Sequence, residues 1–139
     1  PPTPWPVAGA HLTFLANPNS PSGTALRPEQ VAKFAGQVNG PLVLDEAYAE
    51  FAPEGTLPDL DPADPRVIRF RTFSKAHGLA GLRVGYALGP AGLVAAFDRV
   101  RNHFGLGRVA QAGALAALEA GAWVPQVVAR AEAAKARIG

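Results

Sequence analysis

Cysteine and methionine are both absent from the 139 residues. Without cysteine there is no disulfide framework and no thiolate metal site, and a reducing compartment is compatible with the composition. Charge is also sparse. Thirteen basic and 11 acidic residues leave a formal net charge of +2, too weak a field for a nucleic-acid stripe despite a pI of about 9.4. The local groups Arg66, Arg69, Arg71 and Arg99, Arg101, Arg108 are therefore expected to be solvated surface or partner contacts. No apolar run reaches the length of a membrane span. Residues 1–6 carry neither the basic nor the apolar segment of a signal peptide. The missing methionine and the start Pro1-Pro2-Thr3-Pro4 read as an excised or partial chain.

What is present is globular. Hydrophobic residues make up 48% and charged residues 17%, which excludes a disordered chain, and the length suffices for one domain with a sizeable core. Short apolar runs at 11–16, 41–45, 67–72 and 84–88 predict strands. Val31, Phe34, Ala35 and Val38 lie at helical spacing behind Pro28, with Gly40 as the expected stop. Leu93, Ala96, Phe97 and Val100 mark a second helix after Pro90. Residues 109–120 and 123–138 predict two more, with Arg130, Glu132, Lys135 and Arg137 on the wet side of the last. Prolines at 53, 58, 62 and 65 place 52–65 in a surface loop, and residues 1–10 form an extended lead-in. Alternating strands and helices argue for α/β layering around a mainly parallel sheet. Ligands of such sheets gather beyond the strand ends, and three polar clusters, at 17–24, 45–48 and 72–83, each follow a predicted strand.

Lys75 is the most suggestive of the polar residues. It follows a strand and Ser74, and it precedes a turn containing Gly78 and Gly81. An amine becomes nucleophilic when partly desolvated or set near a cation, and Arg83 is close enough in sequence to be that cation or to grip an anion with its planar fork. Asp45 closes an apolar strand and needs a partner or water. A metal ligand, a helix cap and a counter-ion for a cationic ring nitrogen are all open to it, although only Glu46 sits beside it as a second metal-binding group. Tyr48, three residues on, is able to face the same pocket. Each of these residues taken singly has a plainer explanation, as a solvated charge or a half-buried aromatic.

Their order does not. The stretches NPNSPSGT at 17–24, VLDEAYAEF at 43–51 and RTFSKAHGLAGLRVGYALG at 71–89 resemble the class I/II, fold-type I pyridoxal-phosphate-dependent aminotransferases. Within that family, Asp-Glu-Ala-Tyr-x-Glu-Phe is typical of the histidinol-phosphate branch. The resemblance spans roughly residues 11–120. It implies a partial three-layer αβα large domain holding pyridoxal 5′-phosphate, with residues 121–139 a helix leading toward a small domain. Lys75 would then carry the cofactor as a Schiff base and shuttle the substrate α-proton. Asp45 would pair with the pyridinium nitrogen and Tyr48 with the phenolic oxygen, while Thr72, Ser74 and Arg83 would hold the phosphate.

Ser20 stands where the family usually has an asparagine that bonds the phenolic oxygen, so either Ser20 or Asn19 makes that contact or Tyr48 works alone. His77 replaces a commoner phenylalanine and is expected to pack beside the glycine turn. The implied reaction converts histidinol phosphate and 2-oxoglutarate to imidazole acetol phosphate and glutamate. The implied setting is a cytoplasmic homodimer acting on small amino and 2-oxo acids, with neither nucleic acid nor membrane as partner and no metal. Another class I/II specificity, for aromatic amino acids, stays open, as does a non-catalytic packing fragment. The family's cofactor-stacking ring, its substrate-carboxylate arginine and the partner subunit's tyrosine have no counterparts here, so little transamination is expected of this chain alone.

Overall fold

The computed structural model describes residues 6–138. Four strands, β1 (Thr13–Ala16), β2 (Leu42–Asp45), β3 (Val67–Thr72) and β4 (Gly85–Leu88), form one sheet in that order. The first three are parallel and β4 returns antiparallel to β3. The helices are α1 (Pro28–Ala35), α2 (Ala91–Val100), α3 (Arg108–Glu119) and α4 (Trp123–Ile138). None of them alone is long and apolar enough to cross a membrane.

The period-two alternation of the strands sorts their side chains. Leu15, Leu42, Leu44 and Val67 face α1 and enclose Val31, Phe34 and Ala35 in the main core. At roughly 1.5–3 kcal/mol for each large aliphatic or aromatic side chain fully buried, this cluster supplies much of the cohesion. Val43, Ile68 and Phe70 face the other way, toward α2, where Phe97 meets Phe70 edge-on with centroids 6.0 Å apart. The sheet thus has a helix on each face, as α/β layering requires. A second small core forms where α3 lays Ala110 against Phe73 and Val84, flanked by Leu79 and Leu82. Close approach matters there, because a Cβ on Gly113 would meet Leu82 Cδ1 at 2.6 Å.

Three expectations need correction. α1 ends at Ala35, not near Gly40: the Gly36 and Gln37 amides bond back to Ala32 and Phe34 and close the last turn. Val38 still packs on the core. Gly40 has another role, since a Cβ there would collide with the His11 carbonyl. The first strand is shorter than its apolar run, beginning at Thr13 rather than His11. Part of the lead-in, residues 1–5, lies outside the described residues. Its remainder turns instead of running extended, with the Ala10 amide donating to Val7 O at 3.3 Å.

Candidate active site

Three parallel strands place their carboxyl ends on one edge, so the loops that follow them meet. Backbone bonds stitch these exits together. The Asn17 amide donates to Asp45 O and the Glu46 amide to Phe70 O, each at 2.9 Å. Buried Asn17 then closes its own loop, accepting from the Leu26 amide at 2.7 Å and donating Nδ2 to Leu26 O at 3.3 Å. The three polar clusters consequently converge.

Asp45, Thr72, Ser74, Lys75 and Arg83 line one cavity of about 430 Å³, with Phe70 as an apolar wall. Asp45 is exposed, and its Oδ1 accepts from the Ala47 amide at 3.0 Å, which fixes the carboxylate and leaves Oδ2 open among the described residues. Thr72 Oγ1 accepts from the Ser74 amide at 3.1 Å, shaping the turn into Lys75. Arg83 adopts a left-handed conformation with φ 52 and ψ 47, uncommon for a side chain with a Cβ. Such strain, on the order of 1–3 kcal/mol, concentrates at functional sites. Its Nη1 donates to Ala80 O at 2.7 Å, and the rest of the guanidinium edge has no protein partner among the described residues.

Tyr48 stands at the start of the 3₁₀ turn Ala49–Phe51, with Lys75 Nζ 5.0 Å from its ring centroid. Hydrogen bonding from Lys75, then from Ser20, lowers the Tyr48 phenol below its ordinary 10.0, with the Lys75 charge adding to the effect. Ser20 is thus the residue of the 17–24 loop that acts on the Tyr48 phenol. Asn19 is occupied at home, its Oδ1 accepting from Ser22 Oγ at 2.7 Å and its backbone pairing with Thr24 and Gly23.

The loop that carries Lys75 is held from behind. Trp123 Nε1, at the start of α4, donates to Ala76 O at 3.0 Å. Gly78 takes φ +74, and the Leu79 amide returns to Phe73 O at 2.9 Å. His77 packs on Phe73 with centroids 4.9 Å apart, and its Nδ1 is buried without a hydrogen-bond partner among the described residues. Among the described residues no three of His, Cys, Asp and Glu converge as a metal-binding group.

One assembly was missed in the sequence. Arg69 and Arg71 are not solvated surface charges, although Arg66 is, pairing with Asp64 at 2.8 Å. Arg69 bonds fully buried Glu46 through Nε and Nη2, the shortest contact 2.8 Å, and Arg71 Nε reaches Glu46 Oε2 at 2.7 Å. Arg71 Nη1 extends to Glu50 at 3.4 Å. Burial pulls the Arg71 guanidinium down, but the bond to Glu46 and its charge outweigh this, and the net direction is upward. The signal was available in the alternation. Glu46 continues the buried face of Leu42 and Leu44, and Arg69 and Arg71 continue that of Val67.

The family model for aminotransferase class I and II matches residues 7–138. The chain is 47% identical over 107 residues to a histidinol-phosphate aminotransferase of Syntrophotalea carbinolica, covering 77% of this chain and 30% of that protein. It is 41% identical over 133 residues to an aromatic amino acid aminotransferase of Mycobacterium marinum, covering 92% and 36%. Its fold matches that of the Sinorhizobium meliloti histidinol-phosphate aminotransferase, solved in complex with pyridoxal 5′-phosphate. That match has a TM-score of 0.88 at 46% identity over 94% of this chain and 36% of the other. The chain spans about a third of the length of these relatives. It belongs to the class I and II aminotransferases.

Proposed function

We propose that this aminotransferase chain is the cofactor-holding part of a pyridoxal-phosphate-dependent transaminase that takes histidinol phosphate as amino donor and 2-oxoglutarate as acceptor. The observation that carries the reading is the single cavity lined by Asp45, Thr72, Ser74, Lys75 and Arg83 at the exits of parallel strands. Its donor set suits the cofactor: an amine for the aldehyde, a carboxylate for a ring nitrogen, and hydroxyls with an open guanidinium edge for a phosphate. In this reading residues 11–120 belong to the large domain and α4 leads toward the small one. The native enzyme is a cytoplasmic homodimer.

When bound, pyridoxal phosphate supplies an electron sink for charge developing at the substrate α-carbon. The residues around it bind, orient and move protons. Lys75 Nζ would hold the cofactor by its aldehyde and would carry the substrate α-proton from the α-carbon to the cofactor C4′. Asp45 keeps a proton on the ring nitrogen, which maintains the ring's electron demand. Tyr48, its phenol acidified by Lys75 and Ser20, donates to the cofactor's phenolic oxygen. Thr72, Ser74 and Arg83 fix the phosphate, with Arg83 contributing charge and planar geometry together. Asn19 acts indirectly, shaping the loop that brings Ser20 to Tyr48.

The test is spectroscopic. Adding pyridoxal phosphate is expected to give the absorption band of a lysine-bound cofactor, and Lys75→Ala to abolish it. Persistence of the band in Lys75→Ala sinks the assignment of Lys75, and its absence from the parent leaves only a packing fragment. The second reading, an aromatic amino acid aminotransferase, is favoured by the similarity to the Mycobacterium marinum protein. Comparing histidinol phosphate with phenylalanine as donors in the native polypeptide decides between them.

A further inference from the structure

The contact between Tyr48 and Lys75 has no backbone ladder behind it. Beyond Glu46 the chain leaves the sheet, and Tyr48 sits in a loop held by its own 3₁₀ turn, with α4 packed nearby. Lys75 belongs to a different loop, beyond β3. Something must set the separation of the two loops, because beyond the bond from the Glu46 amide to Phe70 O the phenol and the amine follow separate backbones.

Arg71 spans both. It lies at the end of β3, four residues before Lys75. Its guanidinium reaches Glu46 at 2.7 Å and Glu50 at 3.4 Å, the two carboxylates on either side of Tyr48 in sequence. The three side chains are largely buried, at 17%, 0% and 14% exposed, so the bonds are little screened by water. A planar fork presents donors to two carboxylates from one rigid head, whereas a lysine ammonium is a compact charge on a flexible stem. Arg69 meanwhile satisfies Glu46 independently through two nitrogens. Arg71 is thus not needed to neutralise Glu46, and its added reach to Glu50 calls for another explanation.

We infer that Arg71 is a positioning residue: by tying Glu46 and Glu50 to the strand end that leads into Lys75, it fixes the Tyr48 phenol against the Lys75 amine. The inference deepens the proposed function, since it concerns two residues of the same site. Its readout is separate, however, because the state of Tyr48 is measurable without cofactor.

The experiment is an ultraviolet tyrosinate titration of the protein, with Tyr48 isolated in each variant as the difference from the same variant carrying Tyr48→Phe, because the other tyrosine, Tyr86, lies opposite Arg71 across β3 and β4. It is run for the parent, Arg71→Lys, Arg71→Met and Glu50→Gln, beside thermal unfolding and pyridoxal-phosphate titration. Lys75 and Ser20 depress the Tyr48 ionisation and Arg71 is not among its causes. A change in Arg71→Lys, which keeps the positive charge, therefore reports displacement rather than lost charge. The expected result is an upward move of the Tyr48 midpoint in Arg71→Lys and Arg71→Met, and a smaller one in Glu50→Gln. Pyridoxal-phosphate binding should weaken by about tenfold, the equivalent of about 1.4 kcal/mol. If Arg71→Met does not fold, Arg71→Lys and Glu50→Gln decide. Variants that melt earlier but keep the parent Tyr48 midpoint make Arg71 merely structural and overturn the inference. Failure of the parent to bind pyridoxal phosphate would instead sink the functional reading and leave the titration to judge the clamp.

Discussion

Asp45 and Glu46 are adjacent carboxylates with opposite fates. Glu46 points to the α1 face, has no exposed surface and is bonded by two arginines. Asp45 points to the α2 face, is exposed, and has one backbone donor. The same contrast holds for the faces themselves. The α1 face is sealed by Leu15, Val31, Phe34, Leu42 and Leu44. The α2 face leaves Phe14 67% exposed and opens a groove of about 690 Å³ between Val43, Ile68, Phe70 and Phe97. The difference separates two tasks within one sheet. One face holds the fold together, and the other stays open, an apolar groove with Asp45 at its strand exit.

The largest way to break this comparison is to attack the sealed face. Glu46→Ala strips largely buried Arg69 of its carboxylate and leaves Arg71 with Glu50 alone, and is expected to cost about 3–5 kcal/mol, the usual penalty for stripping one partner from a buried ion cluster. Asp45→Asn, one residue away, should change stability by less than about 1 kcal/mol, because the amide oxygen still accepts from Ala47. It should nevertheless weaken pyridoxal-phosphate binding sharply. Denaturant unfolding and cofactor titration of both variants test the separation, and a stability loss in Asp45→Asn equal to that of Glu46→Ala would abolish it.

A smaller contrast lies in the apolar side chains. Leu44→Ala, at a position with no exposed surface, should destabilise by about 2–5 kcal/mol. Phe14→Ala, on the open face, should stay within about 1 kcal/mol in the isolated chain, since most of its ring already meets water. Matched losses would mean that the open groove closes in solution, with the second face sharing the load.

The separation of faces was written into the strands themselves. Leu42, Leu44 and Val67 alternate with Val43 and Ile68 in a way that any parallel sheet must respect, and the strand exits fell where the polar clusters stand. Lys75, Asp45, Tyr48, Thr72, Ser74 and Arg83 were singled out by the likeness of their order to the class I/II aminotransferases, and the strand exits bring all of them but Tyr48 to the lining of one cavity. The Glu46, Arg69 and Arg71 cluster was obscured because charge alone suggested water, whereas register between two strands brought them together. Helix α1 was overrun at its end because Val38 keeps the helical spacing after the backbone has left the helix. Whether Asn19 or Ser20 meets Tyr48 depends on how the 17–24 loop folds on itself. Asn19 is drawn off by Ser22, a contact between near neighbours that pattern alone does not rank.

That choice gives the smallest and sharpest test of the open face. Tyr48 ionises below its ordinary 10.0, chiefly through hydrogen bonding from Lys75 and next from Ser20. Lys75→Ala should move the midpoint furthest upward. Ser20→Ala should move it upward by less, and Asn19→Ala least of all, because Asn19 acts only through the loop. The sign follows from linkage: a phenol with a depressed folded value adds stability only above its unfolded value and loses it as pH falls through the folded one. The effect therefore belongs to the alkaline range, and melting at neutral pH should not register Ser20→Ala, whereas the tyrosinate titration should. An Asn19→Ala shift exceeding that of Ser20→Ala would mean that the carboxamide swings away from Ser22 to reach the phenol. The site would then use the 17–24 loop through the neighbouring residue.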